Sequence, residues 1–125
     1  MSKQIKITAG GIQVDAELYD TPTGQTIADV LPITGRSQRW GDEIYFAIAP
    51  AAELEKNSRN VLEAGELAYW PPGKAFCIFF GKTPASQGDE IRAASAVNVV
   101  GKMKGDFSSL TGVASGDSVL IEQVL

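Results

Sequence analysis

Arg39-Trp40 beside Asp42-Glu43 brings a guanidinium, an indole and two carboxylates within five residues. Such an arginine could hold an anionic or carboxylate-bearing ligand through parallel N–H donors. An arginine paired with a neighbouring carboxylate on a solvated turn is the competing expectation. Tyr45, Tyr69 and Trp70 offer flat faces on which a ligand could stack, although strand aromatics more often fill a core. Cys77 lies in an all-apolar run, so burial should raise its pKa and make it a poor nucleophile. Lys74 follows Pro71-Pro72-Gly73 and reads as a solvated turn lysine.

The chain contains no histidine, which removes imidazole bases, Ser-His-Asp and Cys-His nucleophile systems and the usual imidazole metal sites. Catalysis would have to come from carboxylates, Lys, Arg, Tyr or the thiol. Asp89-Glu90-Ile91-Arg92 has no metal-ligand spacing and reads as surface loop. Residues 101–106, GKMKGD, lack the length and the strand-to-helix setting of a P-loop. No catalytic residue, metal site or cofactor is therefore assigned.

The chain has 125 residues, 44% of them apolar, enough for one domain spanning 1–125 and too few for two ordinary ones. Its net charge is −4 and its basic residues are scattered, which argues against a nucleic-acid surface. No apolar run reaches the ~18 residues of a membrane span, and Met1-Ser2-Lys3-Gln4-Ile5 leads into a strand pattern without a signal-peptide apolar region. One cysteine permits no internal disulfide. A soluble cytoplasmic protein is the expectation.

The elements that must position these side chains are mostly strands. The central stretch is Gly65 to Pro84, in which 67–70 and 75–80 are short, aromatic-rich runs joined by Pro-Pro-Gly. The second run has no polar face and should be covered on both sides, with Phe76, Ile78 and Phe80 on one and Cys77 and Phe79 on the other. Residues 4–9 and 12–19 form an expected hairpin around Gly10-Gly11, the latter strand alternating Ile12, Val14, Ala16 and Leu18 inward against Gln13, Asp15, Glu17 and Tyr19 outward. Thr21-Pro22 should open a short helix carrying Ile27, Val30 and Leu31, stopped by Pro32. Residues 33–42 read as half strand, half turn. In 43–49, Ile44, Phe46 and Ile48 should share one face, and Glu43, Tyr45 and Ala47 the other. Residues 51–64 are polar with one or two helical turns in prospect, and 84–95 read as loop. Residues 96–103 form a strand, Asp106 should cap a short helix through Leu110, and 118–124 alternate as a last strand. A tally of about eight short strands and two short helices points to a small β-barrel or sandwich.

In order and rough spacing, YFAIAP (45–50), GEL (65–67), GKAFCI (73–78) and VGKM (100–103) resemble the core strands of cyclophilins. Together, RWGDEIYF, AYWPPGKAFCIFFGKTP and VNVVGKM resemble the small prokaryotic cyclophilin-like family of Thermotoga type, over nearly the whole chain. The resemblance implies a mostly β fold, a closed eight-stranded cyclophilin-like β-barrel with two short capping helices. It does not imply proline isomerisation. Where cyclophilins place an arginine near the substrate carbonyl, this chain matches Ala47; their pocket glutamine and phenylalanine match Ala75 and Cys77, and their pocket histidine matches Val97. Trp70, Pro71 and Pro72 match the floor and rim of the cleft.

The expected function is a noncatalytic domain that binds a small molecule or peptide segment through Arg39, Trp40, Tyr45, Tyr69, Trp70 and Cys77. The alternative is a divergent peptidyl-prolyl cis-trans isomerase in which Arg36, Arg39 or Arg92 reaches the cleft. Partners would include neither nucleic acid nor membrane, and an exposed edge or aromatic patch would allow a homodimer. Fold alone warrants no chemistry.

Overall fold

Two glycines turn the first hairpin. Strands β1 (Lys3–Ala9) and β2 (Ile12–Leu18) pair antiparallel with Ile7 opposite Val14. Gly10 and Gly11 between them have φ of +54° and +83°, the left-handed values that a two-residue turn matching the strand twist requires. The alternation expected over 12–19 is present as far as Leu18, where the strand ends: Val14, Ala16 and Leu18 are buried. The computed structural model describes residues 2–124; Met1 and Leu125, at the ends of the expected 1–125 domain, lie outside the described residues.

Helix α1 (Pro22–Ala28) begins as expected, with the Thr21 hydroxyl accepting from the Gly24 amide at 3.0 Å and Pro22 in the first turn. It buries Ile27 and stops at Ala28, leaving Val30 exposed. The second expected helix is instead a 3-10 segment, Ser108–Gly112, although Asp106 does accept from the Ser108 amide at 2.9 Å. Among the described residues α1 is the one α-helix, which corrects the expectation of two.

The remaining strands are β3 (Ile33–Arg36), β4 (Gln38–Arg39), β5 (Glu43–Ala47), β6 (Arg59–Leu62), β7 (Glu66–Trp70), β8 (Ala75–Phe79), β9 (Ile91–Met103) and β10 (Ser118–Gln123). They hydrogen-bond in the order β3-β10-β1-β2-β9-β7-β8-β5-β4, with β6 beside β9. The chain is mostly β, but the path has two ends. The edge strands β3 and β4 are neighbours in sequence through Ser37 and share no ladder, so the expected closed eight-stranded barrel is corrected to an open ten-stranded sheet.

The polar stretch 51–64 forms no helix. Glu55 is drawn to the start of α1, where its carboxylate accepts from the Thr23 amide at 2.8 Å and from the Thr23 hydroxyl. Buried Asn98 accepts from the Glu55 amide at 2.7 Å and donates to the Glu53 carbonyl at 2.9 Å, so these two backbone groups find partners without a helix.

Strand β8 is buried at every position, as expected of a run without a polar face. On one face Phe76 and Ile78 join the main core with Phe46, Leu67, Tyr69 and Ile121. On the other, Ala75, Cys77 and Phe79 meet Leu62 of β6 and Ile91, Ala93 and Val97 of β9. Strand β9 accounts for both layers: its C-terminal half pairs with β2 and β7, and its N-terminal half pairs with β6 and lies over the outer face.

Candidate functional site

Register brings the site together. Tyr45 is opposite Cys77 and Glu43 opposite Phe79 across β5 and β8, while Ala68 is opposite Cys77 and Trp70 opposite Ala75 across β7 and β8. With a side-chain period of two, Glu43, Tyr45, Cys77 and Trp70 all project from the outer face. The first half of β9 covers this face incompletely, leaving a pocket of about 240 Å³ lined by Trp40, Glu43, Tyr45, Trp70, Cys77, Ala93, Ala94 and Val97. Trp40, Tyr45 and Trp70 are half-buried. The Trp70 indole N–H donates to the Ser95 hydroxyl at 2.7 Å, which fixes the ring against β9. The cover is held from its far side, where Arg59 of β6 forks onto the buried Glu66 carboxylate of β7 at 2.8 and 2.6 Å.

Glu43 is the residue that sequence reasoning missed. It is only 5% exposed, and among the described residues no cation pairs with it. Desolvation raises its pKa to about 7, opposed only in part by the neighbouring Cys77 thiol, whose own hydrogen bond goes to the Ala75 carbonyl at 3.8 Å. The signal was present in the alternation that set Glu43 and Tyr45 on one face of a strand beside the doubly covered run. Reading it required the pairing of β5 with β8. Burial pushes the Cys77 thiol well up, and the neighbouring Glu43 pushes it further, so it is a protonated donor and no thiolate.

Of the six residues expected to bind ligand, Trp40, Tyr45, Trp70 and Cys77 meet at this pocket. Tyr69 and Arg39 do not line it. Tyr69 points to the opposite face of β7, is fully buried, and donates its hydroxyl to the Pro50 carbonyl at 2.9 Å. Arg39 spends its N–H groups on the Gly41, Thr111 and Val113 carbonyls at 3.0, 3.2 and 2.6 Å and on Asp42 at 3.2 Å, with its guanidinium over the Phe80 ring. Arg36 donates to the Gly116 carbonyl and Arg92 pairs with Glu90, so neither lines the pocket. Because Arg39 ties β4 to the 111–113 segment, Arg39→Ala should lower unfolding free energy by about 2 kcal/mol in urea denaturation while leaving ligand affinity at the pocket unchanged. A loss of affinity with intact stability would return Arg39 to the site.

The pocket's chemistry is that of an apolar box with one ionisable wall. Aromatic faces stand at Trp40, Tyr45 and Trp70, the floor is Cys77, Ala93 and Val97, and a single carboxyl, acceptor-only when ionised, faces in. The described residues hold no cluster of His, Cys, Asp and Glu able to bind a metal ion, and no helix among them is long and apolar enough to cross a membrane.

Comparison with known proteins agrees with the fold. No curated protein matches the chain. The solution structure of a hypothetical protein from Archaeoglobus fulgidus is similar, with 48% sequence identity and a TM-score of 0.83 over 98% of this chain and 95% of that one. The family described as cyclophilin-like matches residues 3–122. With almost its whole length matched, and a relative of nearly half-identical sequence sharing its structure, this chain belongs to the cyclophilin-like family.

Proposed function

We propose that this chain acts as a single noncatalytic binding domain whose pocket takes a small molecule or the side chain of a peptide segment. One observation carries the reading: the protein has two tryptophans, and both converge on the same pocket, where Tyr45 and an apolar floor complete the enclosure. Stacking aromatics, a few polar groups and a concave apolar surface are what small-ligand sites consist of. The pocket is smaller than the roughly 300 Å³ at which drug-sized sites begin, which favours a single ring or one side chain. A cytoplasmic setting agrees with the lone reduced cysteine.

The convergence of both indoles makes intrinsic fluorescence a direct reporter. Titration with a set of uncharged single-ring fragments should give saturable tryptophan responses for some members, accompanied by a rise in Tm. Trp70→Ala should weaken those fragments by about tenfold or more, since truncating a stacking aromatic typically costs 1–3 kcal/mol. Equal affinity in Trp70→Ala, at unchanged stability, would move the binding site elsewhere and refute the proposal.

A further inference from the structure

Glu43 faces an apolar pocket with no cation opposite it, and a carboxylate in that position is an acceptor awaiting a donor. The groups around it come from every element that packs there: Tyr45 from its own strand, Cys77 from β8, Trp70 from β7, Ala93, Ala94 and Val97 from β9, and Trp40 from the turn after β4. None carries positive charge. The indoles that line the same pocket attract cations through their ring faces, tryptophan most strongly of the three aromatics. A carboxylate in a pocket that two tryptophans also line is a receptor for a positively charged group on a flat apolar body. The volume narrows the class further: an apolar cavity of ~150 Å³ holds benzene, so about 240 Å³ suits one ring and a small substituent.

We propose that the pocket selects ligands composed of one planar ring bearing a protonated nitrogen, with the N–H groups donating to the Glu43 carboxylate and the ring lying on the pocket's aromatic lining. This rests on the pocket being the binding site and specifies what it binds. An anionic ligand is rejected twice, by Glu43 and by the absence of any cationic lining residue. Binding of such a cation requires ionised Glu43. Because its carboxyl titrates at about 7, affinity should rise by about tenfold from pH 6 to pH 8 and level off above.

Benzamidine, benzamide and benzoate have nearly the same shape and differ in charge, so they separate the terms. Titrated against the intact protein at pH 8 and followed by tryptophan fluorescence and by NMR, benzamidine should bind at least about tenfold more tightly than benzamide. Benzoate should be weakest. In Glu43→Gln, a change that keeps the side-chain shape, the preference for benzamidine over benzamide and its pH dependence should both vanish. Benzamide and benzamidine binding alike, with both lost in Trp70→Ala, would overturn the charge selectivity and leave the pocket reading intact. Benzoate binding most tightly, or a preference for benzamidine that survives Glu43→Gln, would overturn it as well. No response to any of the three would also overturn it, leaving the pocket reading to stand or fall on the uncharged fragments.

Discussion

Glu43→Gln should make this protein more stable at pH 8 by about 3 kcal/mol, and should change its stability little at pH 4. The carboxyl titrates at about 7 in the folded chain and near its ordinary 4.5 in the unfolded one. Between those values the folded chain holds a proton that the unfolded chain has released. Unfolding free energy therefore falls as pH rises from about 4.5 to about 7, and the full penalty is present above. A gap of 2.5 pH units (7 minus 4.5) at 1.36 kcal/mol each gives the quoted magnitude. Glutamine cannot ionise, so the variant lacks this slope, and subtracting the two curves cancels every other titrating group. Cys77, pushed up by burial and by Glu43, stays protonated across the window and adds nothing. Urea denaturation at a series of pH values measures the difference. Parallel curves would mean that Glu43 is ionised and compensated in the fold, contrary to the unpaired site described above. Such a penalty at neutral pH is what the proposed ligand-binding role of Glu43 would account for.

Gly101→Ala should cost about 4 kcal/mol, at the upper end of single substitutions. Gly101 sits within β9 between its two partners, opposite Leu18 of β2 and Leu67 of β7. A Cβ built there would lie 2.1 Å from the Glu17 carbonyl oxygen, a backbone atom that cannot turn aside as a side chain would. The strands would have to separate at the middle of the sheet, where register also shifts between Leu67 and Ala68. Since β9 both joins β2 to β7 and roofs the pocket, thermal unfolding should come at least about 10 °C earlier, and fragment binding should weaken with it. Gly112→Ala is the control: nothing lies within 4 Å of its Cβ position, so the change should stay within about 0.5 kcal/mol. A tolerated alanine at 101 would show that β2 and β9 do not approach as described.

Much of the local structure is legible in sequence, because period and turn chemistry are local. Gly10-Gly11, the alternation from Ile12 to Leu18, the Thr21-Pro22 helix start and the double cover of β8 all rest on neighbours within a few residues. Open and closed sheets differ instead in which distant strands pair. β3 joins β10 more than 80 residues on in the chain, and no periodicity in 33–36 announces it. Strand β6 was hidden for the same reason: among the described residues its only strand partner is β9, and its Leu62 is buried by contacts with that distant strand and β8. At the site, Trp40, Tyr45, Trp70 and Cys77 were recognisable by type and by resemblance. Arg39 looked available because Asp42 is its only visible partner nearby, whereas its shortest bond is to the Val113 carbonyl at 2.6 Å. Tyr69 and Trp70 are adjacent, and strand alternation sends one into the core and the other to the pocket.

Both tryptophans face one pocket, and its proposed role in ligand binding is tested most directly by the pair of indole N–H resonances in a nitrogen-15 NMR spectrum. The protein has two tryptophans, at 40 and 70, so two such signals are expected and each can be assigned by replacing one tryptophan with phenylalanine. Fragments that bind should shift both signals along one saturation curve, with the same Kd read from each. Fragments that shift one indole without the other, or bind while moving neither, would contradict the account.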